Sequence, residues 1–165
     1  MMVGCNMAST ITPATMTVSI TESITLNGKN QGGTTINSFA SIAEISKRIL
    51  TITTNEAVIA TFSGAVASSG HYNDSAVKYI RLTNLDDTSF VALTFRNQDN
   101  DEVSLKLDAG QSFIFNGDNA NGMTAVMNAT QDADAASLTN FGSLTNIQAD
   151  AETGTIDLEM VIASV

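Results

Sequence analysis

Val91-Ala92-Leu93-Thr94-Phe95-Arg96, the turn Asn97-Gln98-Asp99-Asn100-Asp101, and Glu102-Val103-Ser104-Leu105-Lys106-Leu107 form the stretch that decides the fold. In its first run Val91, Leu93 and Phe95 alternate with Ala92, Thr94 and Arg96, and in its second Val103, Leu105 and Leu107 alternate with Ser104 and Lys106. A period of two places each apolar set on one face of a strand and each polar set on the other. Two such runs joined by a short Asn/Asp turn predict an antiparallel hairpin with one buried face.

The same pattern extends outward in both directions. Toward the C-terminus, Gln111–Asn116 carries Phe113 and Phe115 on one face, Met123–Met127 reads as a short strand, and Leu144–Ala149 and Thr155–Ala163 close the fold. Toward the N-terminus, Val77–Leu85 is a strand around Ile80 and Leu82. Lys47–Phe62 holds two more, one with Leu50 and Ile52, the other with Val58, Ala60 and Phe62, separated by Thr54-Asn55-Glu56. Thr17–Leu26 precedes a Gly/Asn turn at residues 27–33, where glycine supplies positive φ without strain. Residues 36–45 read equally as a strand or a helical turn, because Ile42, Ile45 and Ile49 have helical spacing and Ser41–Glu44 fits a capping box. Gly64–Ser75 reads as a long loop, and Thr130–Phe141 as a surface loop or a single helical turn.

Strands at this spacing predict an all-β fold, an antiparallel β-sandwich of jelly-roll type. Its single domain is expected over residues 17–165, after a flexible N-terminal arm at residues 1–16 in which Pro13 blocks ladder pairing. Expected core positions are Ile80, Leu82, Val91, Leu93, Phe95, Val103, Leu105, Phe113, Leu158 and Met160.

The 165 residues suffice for one core without disulfides. About three residues in ten are Ser, Thr or Asn, the composition of strands and the turns between them. The net charge of −10, from 17 acidic and 7 basic residues, repels phosphate backbones, so no nucleic-acid partner is expected. No apolar run is long enough to span a bilayer as a helix. Cys5 is the single cysteine, so no internal disulfide forms. Val3-Gly4-Cys5 lacks the basic and apolar regions of a lipoprotein signal. The expectation is a protein made in the cytoplasm, with Met1 or Met7 as its start.

Chemistry-bearing constellations are few. His71, the sole histidine, lies near Asp74 and Ser75, the residue types of a nucleophilic triad without a G-x-S-x-G elbow around any serine. One Cys and one His do not furnish a zinc site. Asp99–Glu102 and Asn116–Gly122 cluster oxygen donors that suit calcium but miss the full EF-hand register, and Asx side chains in turns ordinarily bond their own backbone. Asp157 and Glu159 share a polar strand face, which reads as solvation. Trp is absent, so Tyr72 and Tyr79 are the remaining sugar-stacking candidates with a polar edge. No catalytic residue, cofactor or metal is assigned, and an enzyme is not expected.

Four stretches in order, Ile20–Gly28, Lys78–Leu85, Leu107–Asn116 and Asp157–Val165, resemble small β-rich virion structural proteins of tailed phages, particularly phages of marine bacteria. The resemblance covers about residues 20–165 and implies a non-catalytic structural role. The first expectation is a capsid decoration (cement) protein on the virion surface. It would bind the major capsid protein and copies of itself, a trimer being one candidate state, with the arm on the shell or a neighbour. The second is a tail or fibre protein that meets the host surface through Gly64–Ser75 and Asn116–Gly122. A carbohydrate-binding module is the third. The resemblance fixes no binding residue.

Overall fold

The computed structural model describes residues 11–65, 68–127 and 141–165. Among these it contains only strands, and its contacts divide the chain at Ala43/Glu44 into two compact units. The expected arm boundary at residue 16 therefore falls inside a strand. Residues 1–10, with Cys5, and most of the Thr130–Phe141 stretch lie outside the described residues.

The first unit is a β-ribbon. β1 (Ala14–Glu22) pairs antiparallel with β4 (Gly33–Ile42), from Ala14 opposite Ile42 to Glu22 opposite Gly33. Its tip is a smaller hairpin, β2 (Thr25–Leu26) with β3 (Lys29–Asn30). The Asn27-Gly28 turn there has φ of 52° and 76°, the mirror-image turn whose twist matches that of a hairpin. Between the two hairpins the ribbon narrows, so that a Cβ on Gly32 would lie 2.2 Å from the Glu22 carbonyl oxygen. Residues 36–42 are strand. Alternation with Ser and Thr outweighs the helical spacing of the isoleucines, since a paired ribbon satisfies every second backbone group of β4.

The second unit is the β-sandwich. One sheet has the order β10-β9-β12-β6-β7 and the other β11-β8-β13-β5. Their strands are β5 (Glu44–Thr53), β6 (Ala57–Ser63), β7 (His71–Asn73), β8 (Val77–Asn84), β9 (Val91–Asn97), β10 (Glu102–Leu107), β11 (Ser112–Asn116), β12 (Leu144–Ala151) and β13 (Thr155–Ser164). The hairpin that decides the fold forms as read, with Val103 opposite Phe95 and Leu105 opposite Leu93. β7 lies within the stretch expected to be loop and pairs parallel with β6. Met123–Met127 contributes a single isolated bridge, Met127 with Gly142, in place of a strand.

Inward residues of both sheets build one core, in which Ile80, Leu82, Leu93, Ile147, Leu158 and Met160 have no exposure. Three of the expected core positions differ: Val103 is 38% exposed, and Leu105 and Phe113 are half-buried. They sit on β10 and β11, the edge strands at one end of the two sheets. Alternation assigns a side chain to a face, but an edge strand has a neighbour on one side only.

Candidate functional site

The polar candidates are held by their own surroundings. The His71 imidazole Nε2 lies 2.7 Å from Ser63 Oγ, because the parallel β6–β7 pairing sets Thr61 beside His71 and Ser63 beside Asn73. Asp74 and Ser75 do not join it. The Ser75 hydroxyl donates to Asn73 Oδ1 (2.8 Å), while Asp74 Oδ1 accepts from the Ser75 N–H (2.7 Å). Among the described residues no carboxylate bonds the imidazole, so Ser63 has a base beside it but no acid that orients the base. Sequence distance hid Ser63, since the strand pairing that brings it to His71 lies in a stretch that reads as loop.

In both calcium-type loops an Asx side chain bonds the loop's own backbone. Asn97 Oδ1 accepts from the N–H groups of Asp99 and Asp101 (2.9 Å each), and Asn97 Nδ2 donates to Asp101 Oδ2 (3.1 Å). Asp118 Oδ1 accepts from Ala120 and Asn121 N–H. The buried Lys78 ammonium donates to the carbonyl oxygen of Asn119 at 3.1 Å, placing a positive charge where a cation would need oxygen ligands. No group of three or more His, Cys, Asp or Glu able to hold a metal occurs among the described residues.

The Asp157/Glu159 pair is likewise engaged. Asp157 Oδ1 accepts from Thr51 Oγ1, and Glu159 bonds both Lys47 (2.8 Å) and Arg81. The Lys47 hydrogen bond, helped by the charges of Lys47 and Arg81, holds the Glu159 carboxyl below its ordinary range. Neither tyrosine presents a face for stacking. Tyr79 is buried, and Tyr72 is buried with its ring stacked on Phe62 at 5.8 Å and its hydroxyl 3.0 Å from Ser46 Oγ.

Three other features emerge. First, the ribbon exposes Ile20, Ile24, Leu26 and Ile36, the last three to more than half of their area, and of the 17 acidic and 7 basic residues only Glu22 and Lys29 precede Glu44. The net charge of −10 therefore belongs entirely to Glu44–Val165. Second, an apolar groove of about 200 Å³ opens between β10 and β11, lined by Val103, Leu105, Phe113, Phe115 and Phe95 with Val126 and Met127 beyond. Its floor is a ring cluster, with Phe95 5.1 Å from Phe113 and 5.9 Å from Phe115.

Third, at the opposite seam between β5 and β7, a polar cleft of about 280 Å³ is lined by Glu44, Ser46, Arg48, Tyr72 and the Ser68–Gly70 turn. Arg48 pairs with the core residue Met160 across β13, in phase with Leu50 and Ile52. The sequence contains that signal, a charged residue at a core-phase position of β5, although the cleft it lines is not visible there. Compared with known proteins, the chain matches no family model and no curated sequence.

Proposed function

We propose that the chain is a non-catalytic virion structural protein, a capsid decoration protein whose jelly-roll-type sandwich forms its body and whose β-ribbon grips the capsid shell. The observation that carries this reading is the ribbon. Isolated two-stranded hairpins are marginal in water, and free sheet edges are ordinarily blunted by charge, proline or bulges. Here two edges of 9 and 10 residues that have no further strand beside them among the described residues, about 30 Å long at 3.3 Å per residue, carry apolar side chains and almost no charge. Depletion of charge with exposed apolar groups is the composition of a protein interface core. The acidic sandwich, in turn, keeps the body soluble and away from packaged nucleic acid.

The test is attachment to particles. Purified heads stripped of the protein are incubated with the parent chain or with the triple variant Ile24→Ser, Leu26→Ser, Ile36→Ser, and bound copies are counted by sedimentation and imaging. Parent chains spread over the head, with occupancy lost in the variant, support the proposal. Equal occupancy would refute the ribbon's role, and copies confined to the tail would refute the decoration reading.

The tail or fibre reading draws on one observation. The two loops assigned to host contact meet in the structure, where the Met123 N–H donates to the Asp74 carbonyl (2.6 Å) and a Cβ on Gly122 would lie 2.4 Å from the same oxygen. Two loops locked edge to edge make a continuous contact surface, which the same imaging would locate on the tail.

A further inference from the structure

Arg48 stands apart from the other cationic side chains of the sandwich. Lys47 and Arg81 pair with Glu159, Arg96 with Glu102, Lys106 with Asp108, and Lys78 donates to backbone carbonyls. Arg48 is half-buried, and among the described residues its side chain makes no ion pair and no hydrogen bond. In a chain with more than two acids for every base, a partner would be easy to supply. A half-buried guanidinium that lines an open cleft with no anion beside it is placed to take one from outside.

The surroundings indicate what that anion carries. Arg48 leans from the inner face of β5 toward β7, so that a Cβ on Gly70 would lie 3.5 Å from its Nη1. The facing wall is pre-shaped: Ser68 and His71 exchange backbone hydrogen bonds (2.8 and 3.0 Å), and Gly70 turns the chain at φ 79°. Ser46, Ser68 and Ser69 line the space, with the Tyr72 hydroxyl held against the Ser46 hydroxyl. Glu44, which only accepts hydrogen bonds when ionised, stands at the same cleft. A polyanion such as a phosphate chain would meet Glu44 and the acidic body. A single carboxylate flanked by hydroxyls fits every group: the carboxylate on the planar guanidinium fork, the hydroxyls on the serines and on Glu44. At about 280 Å³ the cleft lies just below the usual range for drug-sized ligands, which suits one sugar ring.

We propose that the cleft between β5 and β7 binds a uronic-acid residue, with Arg48 taking its carboxylate and Glu44, Ser46, Ser68 and Ser69 its hydroxyls. This site is independent of the ribbon, and neither proposal falls with the other.

The experiment titrates the full ¹⁵N-labelled chain with sodium glucuronate, glucose, sodium acetate, sodium sulfate and a triglutamate peptide, following the amide resonances of Ser68–Tyr72. Glucuronate should produce saturable shifts. Its affinity should fall about tenfold or more, a loss of ~1.4 kcal/mol, for glucose and for Arg48→Met, while Lys47→Met, on the outer face of the same strand, binds as the parent does. Arg48→Met should melt at or above the parent, because no partner is lost. Absent shifts, or unchanged binding by Arg48→Met, would overturn the site. Equal binding of acetate or sulfate, or tighter binding of triglutamate, would overturn the sugar assignment. A lowered melting temperature for Arg48→Met would show that the arginine is structural.

Discussion

Phe95→Ala tests the sandwich at the point where its core meets the open groove. Phe95 is 4% exposed and stands at the junction of β9 with the ring pair Phe113 and Phe115, at 5.1 and 5.9 Å. Removing a buried phenyl ring ordinarily costs ~3–5 kcal/mol, the sum of lost transfer energy and the cavity left behind. Two ring contacts, each worth about 0.5–1.5 kcal/mol, go with it. The void, however, would merge with the 200 Å³ groove and fill with water, which removes much of the empty-cavity term. We therefore expect a loss of about 3 kcal/mol, the low end of that range. Val103→Ala, opposite Phe95 in the ladder but 38% exposed, should cost under about 1 kcal/mol. Urea unfolding of both variants, followed by a probe in the sandwich, reads the two costs as midpoint shifts at constant slope. Phe95→Ala within about 0.5 kcal/mol of the parent, the size of an ordinary surface change, or Val103→Ala equally damaging, would refute the assignment of inner face and open edge.

Asn84 makes a second case. It is fully buried, donates Nδ2–H to the carbonyls of Ser89 and Leu107 (2.9 and 3.1 Å), and accepts the Asp86 N–H. Asn84→Ala strands these backbone groups at about 1–3 kcal/mol for each one left unpaired and dry, so hydrogen exchange at Asp86 should accelerate and the unfolding equilibrium should shift by about tenfold or more; protection equal to the parent's would contradict the role. A third prediction concerns acid. Glu159, through Lys47 and Arg81, and Asp86, through the N–H groups of Ser89 and Thr88, both have depressed carboxyl pKa values. A depressed folded-state pKa contributes stability above the unfolded value, and this is lost as pH falls through the folded one. Side-chain carbon titration should show both inflecting below the ordinary carboxylate range, and Glu159→Gln should flatten the acid limb of the stability curve; an unchanged limb would remove Glu159 from the account.

The hairpin at residues 91–107 was legible because period-two alternation is a local property. Val91, Leu93 and Phe95 must share a face wherever the strand goes, and the Asn97–Asp101 turn bonds its own backbone. The all-β class and most strand positions follow from such nearest-neighbour geometry, whereas the turn expected over residues 27–33 tightens to Asn27-Gly28, with β3 inside the stretch. Position within a sheet does not. Val103 and Leu107 look alike in sequence, yet Val103 opens to the groove and Leu107 is buried, because lateral neighbours come from residues far along the chain. The strand at His71–Asn73 was hidden for the same reason: three residues carry no periodicity, and only the parallel pairing with Thr61–Ser63 makes them a strand.

The candidate sites divide along the same line. From the sequence alone came the acidic balance and the poverty of aromatic residues, whereas the division at Ala43/Glu44 that leaves only two charges in the ribbon unit came from the structure. Tertiary structure decided that Ser63 faces His71, that Lys78 fills the Asn119 carbonyl site, and that the Arg48 side chain stands without a partner among the described residues at the β5–β7 seam. Side-chain direction is set by two dihedrals per residue and is written locally, whereas proximity across a sandwich depends on the order of strands in the sheets, which no single segment encodes.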